Sequence, residues 1–178
     1  MTDQAREDGQ GMYALAKEEN ITSEILAQMQ MLANCFREEQ AFLQLLSNMA
    51  LPKAERIAIL DHALGGQVHP YLLNFMKILL ERNLLGEYAG CLAAFREFYH
   101  QDQGIVEAFV TTGAPLSQDQ RDRIIEKLRQ MTGKQVELTE KVDAAVLGGV
   151  LLEMDGKRYD NTLRGRLSAI HKAMTGQD

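Results

Sequence analysis

The chain contains no tryptophan, only three prolines and only two cysteines in 178 residues. With aromatics at 6%, leucine, isoleucine, alanine and methionine must fill the core. So few prolines leave long segments without an obligatory helix break, and leucine-rich stretches with charged spacing point to helix. Cys35 and Cys91 sit in apolar, helix-patterned segments, with no CxxC pair and no histidine at ligand spacing. They read as two reduced, core-facing thiols. No run approaches the ~18 apolar residues that cross a bilayer. The first twenty residues are mixed and acidic, unlike a secretory signal or an Arg-rich transit peptide. Membrane association is therefore expected only indirectly, through a partner. Basic excess is lacking too. The formal charge of −6 falls in residues 1–104, with eight Lys/Arg against fourteen Asp/Glu, while residues 105–178 hold eleven of each. Without a basic face, nucleic acid is excluded as a partner. An acidic front half suits a basic protein partner or simply a solvated surface.

What is present is an ordinary globular composition, 46% hydrophobic and 25% charged, with enough length for one domain or two small ones. The periodicity changes near Gly104. Before it, Ile21, Ile25, Leu32 and Phe36 recur close to every 3.6 residues, and Phe42, Leu45, Leu46 and Met49 repeat the pattern. Pro52 can open the next helix, whose stripe is Ile57, Leu60 and Leu64 and whose stop is Gly65-Gly66. After His69-Pro70, the segment YLLNFMKILLERNLL is apolar nearly all round, with Asn74, Lys77 and Glu81 as a narrow polar stripe. Such a helix is central in its bundle or shows a second face to a partner. Tyr88, Leu92, Phe95 and Tyr99 complete about six helices, a bundle over residues 1–104.

After Gly104 the period drops toward two. IVEAFVTT (105–112) predicts a strand. Ser117 and Gln120 form a capping-box signature for a helix that buries Ile124, Leu128 and Met131 and stops at Gly133. Val136 and Leu138 alternate with charges as in a half-buried strand, Asp155-Gly156 marks a hairpin, and Leu163, Leu167, Ile170 and Met174 mark a closing helix. The fold class expected is mainly α, α+β overall: a six-helix bundle followed by a small α+β domain over residues 105–178.

Catalytic patterns are wanting. His62, His69, His100 and His171 are scattered, without HxxxH or HxH spacing, which favours surface or capping roles over metal ligation. Thr132-Gly133-Lys134 imitates the end of a phosphate loop, but Leu128 stands where its first glycine belongs. Gly148-Gly149 lacks a dinucleotide site's third glycine and following helix. An enzyme site would have to be assembled from dispersed residues such as Asp61, His62 and Tyr88, and their spacing does not support one. No catalytic residue, cofactor or metal is expected.

Two clusters remain: Val142-Asp143 with Leu147-Gly148-Gly149-Val150, and the run from Tyr159 to Leu167. By themselves they read as a glycine bend, a helix cap at Asp160 or Asn161, and Arg164 in ion-pair reach of Asp160. In order, however, VDAAVLGGVLLEMDGKRYDNTLRGRL resembles the C-terminal signature of the ATP synthase delta subunit and oligomycin sensitivity-conferring protein family. The matching positions are Val142, Asp143, Gly148, Gly149, Asp160, Thr162, Arg164, Gly165 and Leu167, with Thr162 where the family usually has serine. IVEAFVTTGAPLSQDQ and LLNFMKILLERNLL are similar to the family's strand–turn–helix and its fifth bundle helix. The N-terminus departs from the family's Tyr-Ala-x-Ala-Leu opening. Gly9 and Gly11 precede Tyr13-Ala14-Leu15-Ala16, and each glycine within a helix costs about 1 kcal/mol relative to alanine.

The resemblance implies a non-catalytic stator subunit that links the catalytic head of a proton-driven F-type ATP synthase to its b-subunit stalk. It implies a place at the cytoplasmic face of the inner (plasma) membrane. The bundle would hold the alpha-subunit N-terminal helix in a groove of the first and fifth helices, at Met12, Leu15, Leu73, Met76 and Leu80, so that Leu73→Asp and Leu80→Asp abolish that binding while the bundle stays folded. The C-terminal half would meet the C-terminal helices of the b subunits. The alternative is an unrelated soluble helical adaptor for another partner's amphipathic helix.

Overall fold

The computed structural model describes residues 2–146, 148–154 and 156–160. They fall in two compact units, Met1–Tyr99 and His100–Asp178. Six helices build the first: α1 (Asp3–Glu18), α2 (Thr22–Glu38), α3 (Gln40–Ser47), α4 (Lys53–Leu64), α5 (Pro70–Glu81) and most of α6 (Tyr88–Gln103), with a short 3-10 turn at Leu85–Glu87. Their starts are written locally. Thr2 caps α1 by accepting from the Ala5 N–H, and His69 caps α5 through Nδ1, with Pro70 at the first helical position. Two of the stops use asparagine where glycine is the commoner signal. Asn20 and Asn83 both adopt φ of 58°, and the N–H groups of Ile21 and Leu84 reach back to the carbonyls of Ala16 and Leu79. This is one hydrogen bond of the Schellman stop, with an apolar residue just past the turn in both α1 and α5.

The core takes Ile25, Met29, Leu32 and Phe36 from α2, and Tyr88, Cys91 and Phe95 from α6. From α5 it takes Leu72, Phe75, Met76, Leu79 and Leu80, while Tyr71 and Ile78 of the same helix stay exposed. So α5 is central and also keeps an outward apolar edge. Close approach of α1 to α6 rests on a glycine. A Cβ at Gly9 would stand 2.5 Å from the Cys91 carbonyl oxygen and 2.8 Å from the Ala94 Cβ. Below it, Tyr13 packs edge-on to Phe95, and Arg6 pairs with Glu97 at 2.9 Å. Gly9 and Gly11 therefore do not displace the helix start, because α1 runs through both.

The bundle departs from expectation at two places, Met49 and Cys35, and buries one charge outside the expected stripes. Met49 lies beyond the end of α3 and is 73% exposed, leaving Leu46 as the buried residue of its quartet. Cys35 faces outward on α2, and only Cys91 is buried. Arg56, a charge on α4, is buried: its Nη1 donates to the Leu46 carbonyl at 3.1 Å and to Asn83 Oδ1 at 3.3 Å. It thereby satisfies an orphan carbonyl at the end of α3.

In the second unit, β1 (Ile105–Thr112), β2 (Gln135–Val142), β3 (Val150–Met154) and β4 (Lys157–Asp160) form a sheet ordered β2-β1-β3-β4, with α7 (Gln118–Thr132) between β1 and β2 in the chain. β1 pairs parallel with β2 across α7, as a strand–helix–strand unit requires, and antiparallel with β3, while β3 and β4 form the hairpin with Met154 opposite Lys157. The capping box at Ser117 and Gln120 is formed on both sides, and Gly133 ends α7 at φ of 68°. Val106, Ala108 and Val110 alternate toward the core with Val136, Leu138 and Leu128. Of the stripe on α7, however, Leu128 alone is fully buried. Ile124 is half-buried and Met131 exposed, because these residues border a cavity of about 390 Å³ lined also by Val150, Leu152 and Tyr159. The closing helix expected from Leu163 to Met174 lies outside the described residues.

Candidate partner-binding surface

Helices α1 and α5 are laced together at both ends by polar side chains. Arg82, just past α5, donates from Nη1 to Asp8 Oδ1 at 2.9 Å, and the Tyr71 hydroxyl donates to Glu19 Oε1 at 3.3 Å. The Glu19 carboxylate, through its charge and this hydrogen bond, raises the Tyr71 pKa above its ordinary value. These ties fix which faces meet. On α1 the stripe is Asp8, Gly11, Met12, Leu15 and Glu19; on α5 it is Tyr71, Phe75 and Ile78, continued by Arg82, each at three- and four-residue steps. The two helices run antiparallel here. Between the ties, Leu15, Tyr71 and Ile78 are exposed at 37%, 37% and 43%, over buried Met12 and Phe75. A Cβ at Gly11 would meet nothing within 4 Å. The result is an apolar strip with open space beside it and acidic residues along α1, of which Asp3, Glu7, Asp8 and Glu18 outnumber Arg6 and Lys17.

Of the five groove residues expected from sequence, Met12 and Leu15 lie on this strip. Leu73, Met76 and Leu80 are turned about 140–200° away from Tyr71 at 100° per residue. Met76 and Leu80 are fully buried, and Leu73 is half-buried. On that side Lys77 pairs with Asp61 of α4 at 2.6 Å. Tyr71 and Ile78 carry no mark in the apolar pattern of α5; their place beside α1 follows from the Tyr71–Glu19 and Arg82–Asp8 contacts.

The C-terminal cluster builds the crossing from β2 to β3 past the end of β1. Val142 closes β2 opposite Thr112. The Asp143 N–H donates to the Thr112 carbonyl at 2.8 Å, and Asp143 Oδ1 accepts from the Ala145 N–H at 2.9 Å. Gly148 and Gly149 then take φ of 51° and 138°, conformations that an L side chain resists, immediately before β3. The glycine bend expected at the strand start is present. Asp143 and Asp160 both line a cleft of about 430 Å³ on the sheet, with Lys141, Arg158, Phe109 and Leu151. Thr162, Arg164, Gly165 and Leu167 lie outside the described residues.

The dispersed residues considered for an enzyme site are employed separately. Asp61 is held by Lys77, His62 is exposed, and Tyr88 is buried with its hydroxyl donating to the Met29 carbonyl at 2.9 Å. His69 is a helix cap, whereas His100 is buried between two carboxylates and is neither a cap nor a surface residue.

A family model described as the ATP synthase delta (OSCP) subunit matches residues 8–174. The chain belongs to this family. Its relatives include proteins named ATP synthase subunit delta from Synechococcus elongatus, 29% identical over 90% of each chain, and from Picosynechococcus sp., 30% identical over 94% of this chain and 91% of the relative. The Clostridium kluyveri protein of the same name is 26% identical over 92% and 90%. In fold, the chain is similar to a chain of the Toxoplasma gondii mitochondrial ATP synthase hexamer, with a TM-score of 0.73, 17% identity and 98% coverage of both. Members of the delta/OSCP family are non-catalytic peripheral-stalk components of F-type ATP synthases, and this chain is such a stator subunit. No helix among its described residues is long and apolar enough to cross a membrane.

Proposed function

We propose that this delta-type subunit joins the catalytic head to the b-subunit stalk of a proton-driven F-type ATP synthase by gripping the alpha-subunit N-terminal helix in the α1–α5 groove. The observation that carries this reading is the exposed strip of Leu15, Tyr71 and Ile78, flanked by the Asp8–Arg82 and Glu19–Tyr71 ties. An amphipathic helix laid there buries its apolar face, and basic residues on its flanks meet the acidic α1. The work is mechanical: the contact resists the torque that the rotor exerts on the head, and no bond is made or broken by this chain. The second unit, through the sheet around Phe109 and the Asp143–Asp160 cleft, meets the C-terminal helices of the b subunits at the cytoplasmic membrane face.

The test is titration of a fluorescent alpha N-terminal peptide into the full chain. Leu15→Asp and Ile78→Asp, both at exposed positions, are expected to weaken binding at least tenfold with helicity unchanged. The Leu80→Asp variant suggested by the sequence pattern places a charge in the core instead and therefore reports on folding. Undiminished affinity in both exposed variants would refute the groove.

A further inference from the structure

In the second unit, Glu107 of β1 and Glu137 of β2 are register partners of a parallel pair, alternating with the residues that face the core. Their carboxylates stand side by side on the face of the sheet opposite that core. His100, buried at the end of α6, supplies an imidazole to both: Nε2 lies 3.0 Å from Glu137 Oε2, and Nδ1 lies 3.4 Å from Glu107 Oε1. One ligand atom from each of the three residues can be chosen so that all lie within 4.8 Å of one another.

We propose that His100, Glu107 and Glu137 form a binding site for a zinc-class divalent ion. Two donors that each bind zinc at about 2.0–2.1 Å stand roughly 3.0–3.4 Å apart, the separation that His100 Nε2 and Glu137 Oε2 already have. These two atoms are the protein ligands. Glu107, on the other ring nitrogen, accepts the Nδ1–H and fixes the tautomer in which Nε2 carries the lone pair that binds, the usual arrangement of a metal-bound histidine. The imidazole keeps its Nδ1 proton, and the remaining coordination positions are filled by water from the side where Glu137 is more than half exposed. An imidazole with carboxylate oxygen and no thiolate selects zinc, cobalt, nickel or copper over magnesium or calcium. Sequence spacing conceals the set, since its members come from a helix end and two strands separated by α7. The ion ties the start of the sheet to His100.

Isothermal titration of zinc ion into the full chain in excess magnesium tests the site, in a Cys35→Ser background because that exposed thiol competes for zinc. One ion per chain is expected. Glu107→Gln should weaken binding about ten- to a hundredfold, Glu137→Gln at least tenfold, and His100→Gln should abolish it, with His62→Ala as an unaffected control. Glu137→Gln changes an exposed side chain and keeps the fold, so the test survives if His100→Gln does not fold. No zinc uptake by the parent, or equal uptake after Glu137→Gln, overturns the site and leaves His100 as a bridge between two carboxylates.

Discussion

Gly9 and Gly11 are indistinguishable by sequence, two glycines inside one helix, yet replacing each with alanine should move stability in opposite directions. Alanine is favoured over glycine within a helix by about 0.5–1 kcal/mol. At Gly11 that is the whole effect, because the new methyl meets nothing within 4 Å. At Gly9 the methyl would lie 2.5 Å from the Cys91 carbonyl oxygen and 2.8 Å from the Ala94 Cβ. The first is backbone and cannot swing aside, so α1 must move off α6. That motion loosens buried Ala5, Tyr13 and Ala16 along the same face. Overpacking of this kind costs about 1–3 kcal/mol. With the helix gain subtracted, Gly9→Ala should destabilise by up to about 2.5 kcal/mol, while Gly11→Ala stabilises by about 0.5–1 kcal/mol. Urea unfolding followed by far-UV circular dichroism measures both. With a slope near 2 kcal/mol per molar, the midpoints should separate by roughly 0.5–1.5 M, the overpacking cost alone, since the helix gain is common to both. Equal stabilisation by the two alanines would refute the close approach of α1 to α6.

Other outcomes follow from the same core. Cys35 should react with a thiol reagent at neutral pH in the folded chain and Cys91 should not, as counted by mass spectrometry before and after unfolding. Burial, with Asp8 and Glu87 nearby, pushes the Cys91 thiol up to about 11, so at pH 8 only about one in a thousand is thiolate. Burial also raises the Tyr88 pKa above its ordinary value of 10.0. Below that value folded and unfolded chains are both protonated there. As pH rises past it, the unfolded chain ionises first and stability falls, by up to about 1.4 kcal/mol per pH unit. Chemical denaturation from pH 8 to 11 should show this loss added to that from Cys91, whose raised thiol acts in the same sense from about pH 9, and Tyr88→Phe should remove only the part above pH 10 after losing about 1 kcal/mol at neutral pH with the bond to Met29.

The sequence was most informative where periodicity and local caps decide the outcome. The α2 stripe, the Pro70 start of α5, the capping box at Ser117 and the β3–β4 hairpin are all local, and each is formed. It was less informative where burial depends on what lies across a gap. Met131 keeps the helical spacing of a core residue but borders a cavity, and Cys35 sits in an apolar segment yet faces outward. Asn20 and Asn83 end helices in the left-handed conformation that glycine usually supplies. The edge of α5 that faces α1 was not legible. Apolar content marks α5 as a whole, but which edge faces α1 is set by Asp8 reaching Arg82 and Glu19 reaching Tyr71, contacts 74 and 52 residues apart in the chain. The His100 cluster joins residues 7 and 37 positions apart, so no ligand spacing could reveal it.

The most direct test of the stator role is a tagged pull-down of the full chain from native membranes, with the eluate quantified by mass spectrometry. A stator connector should bring down the alpha, beta and b subunits at near-stoichiometric yield, with recovery of the head subunits reduced by Leu15→Asp and Ile78→Asp. Recovery of a different complex, or of none of these subunits, would contradict that role.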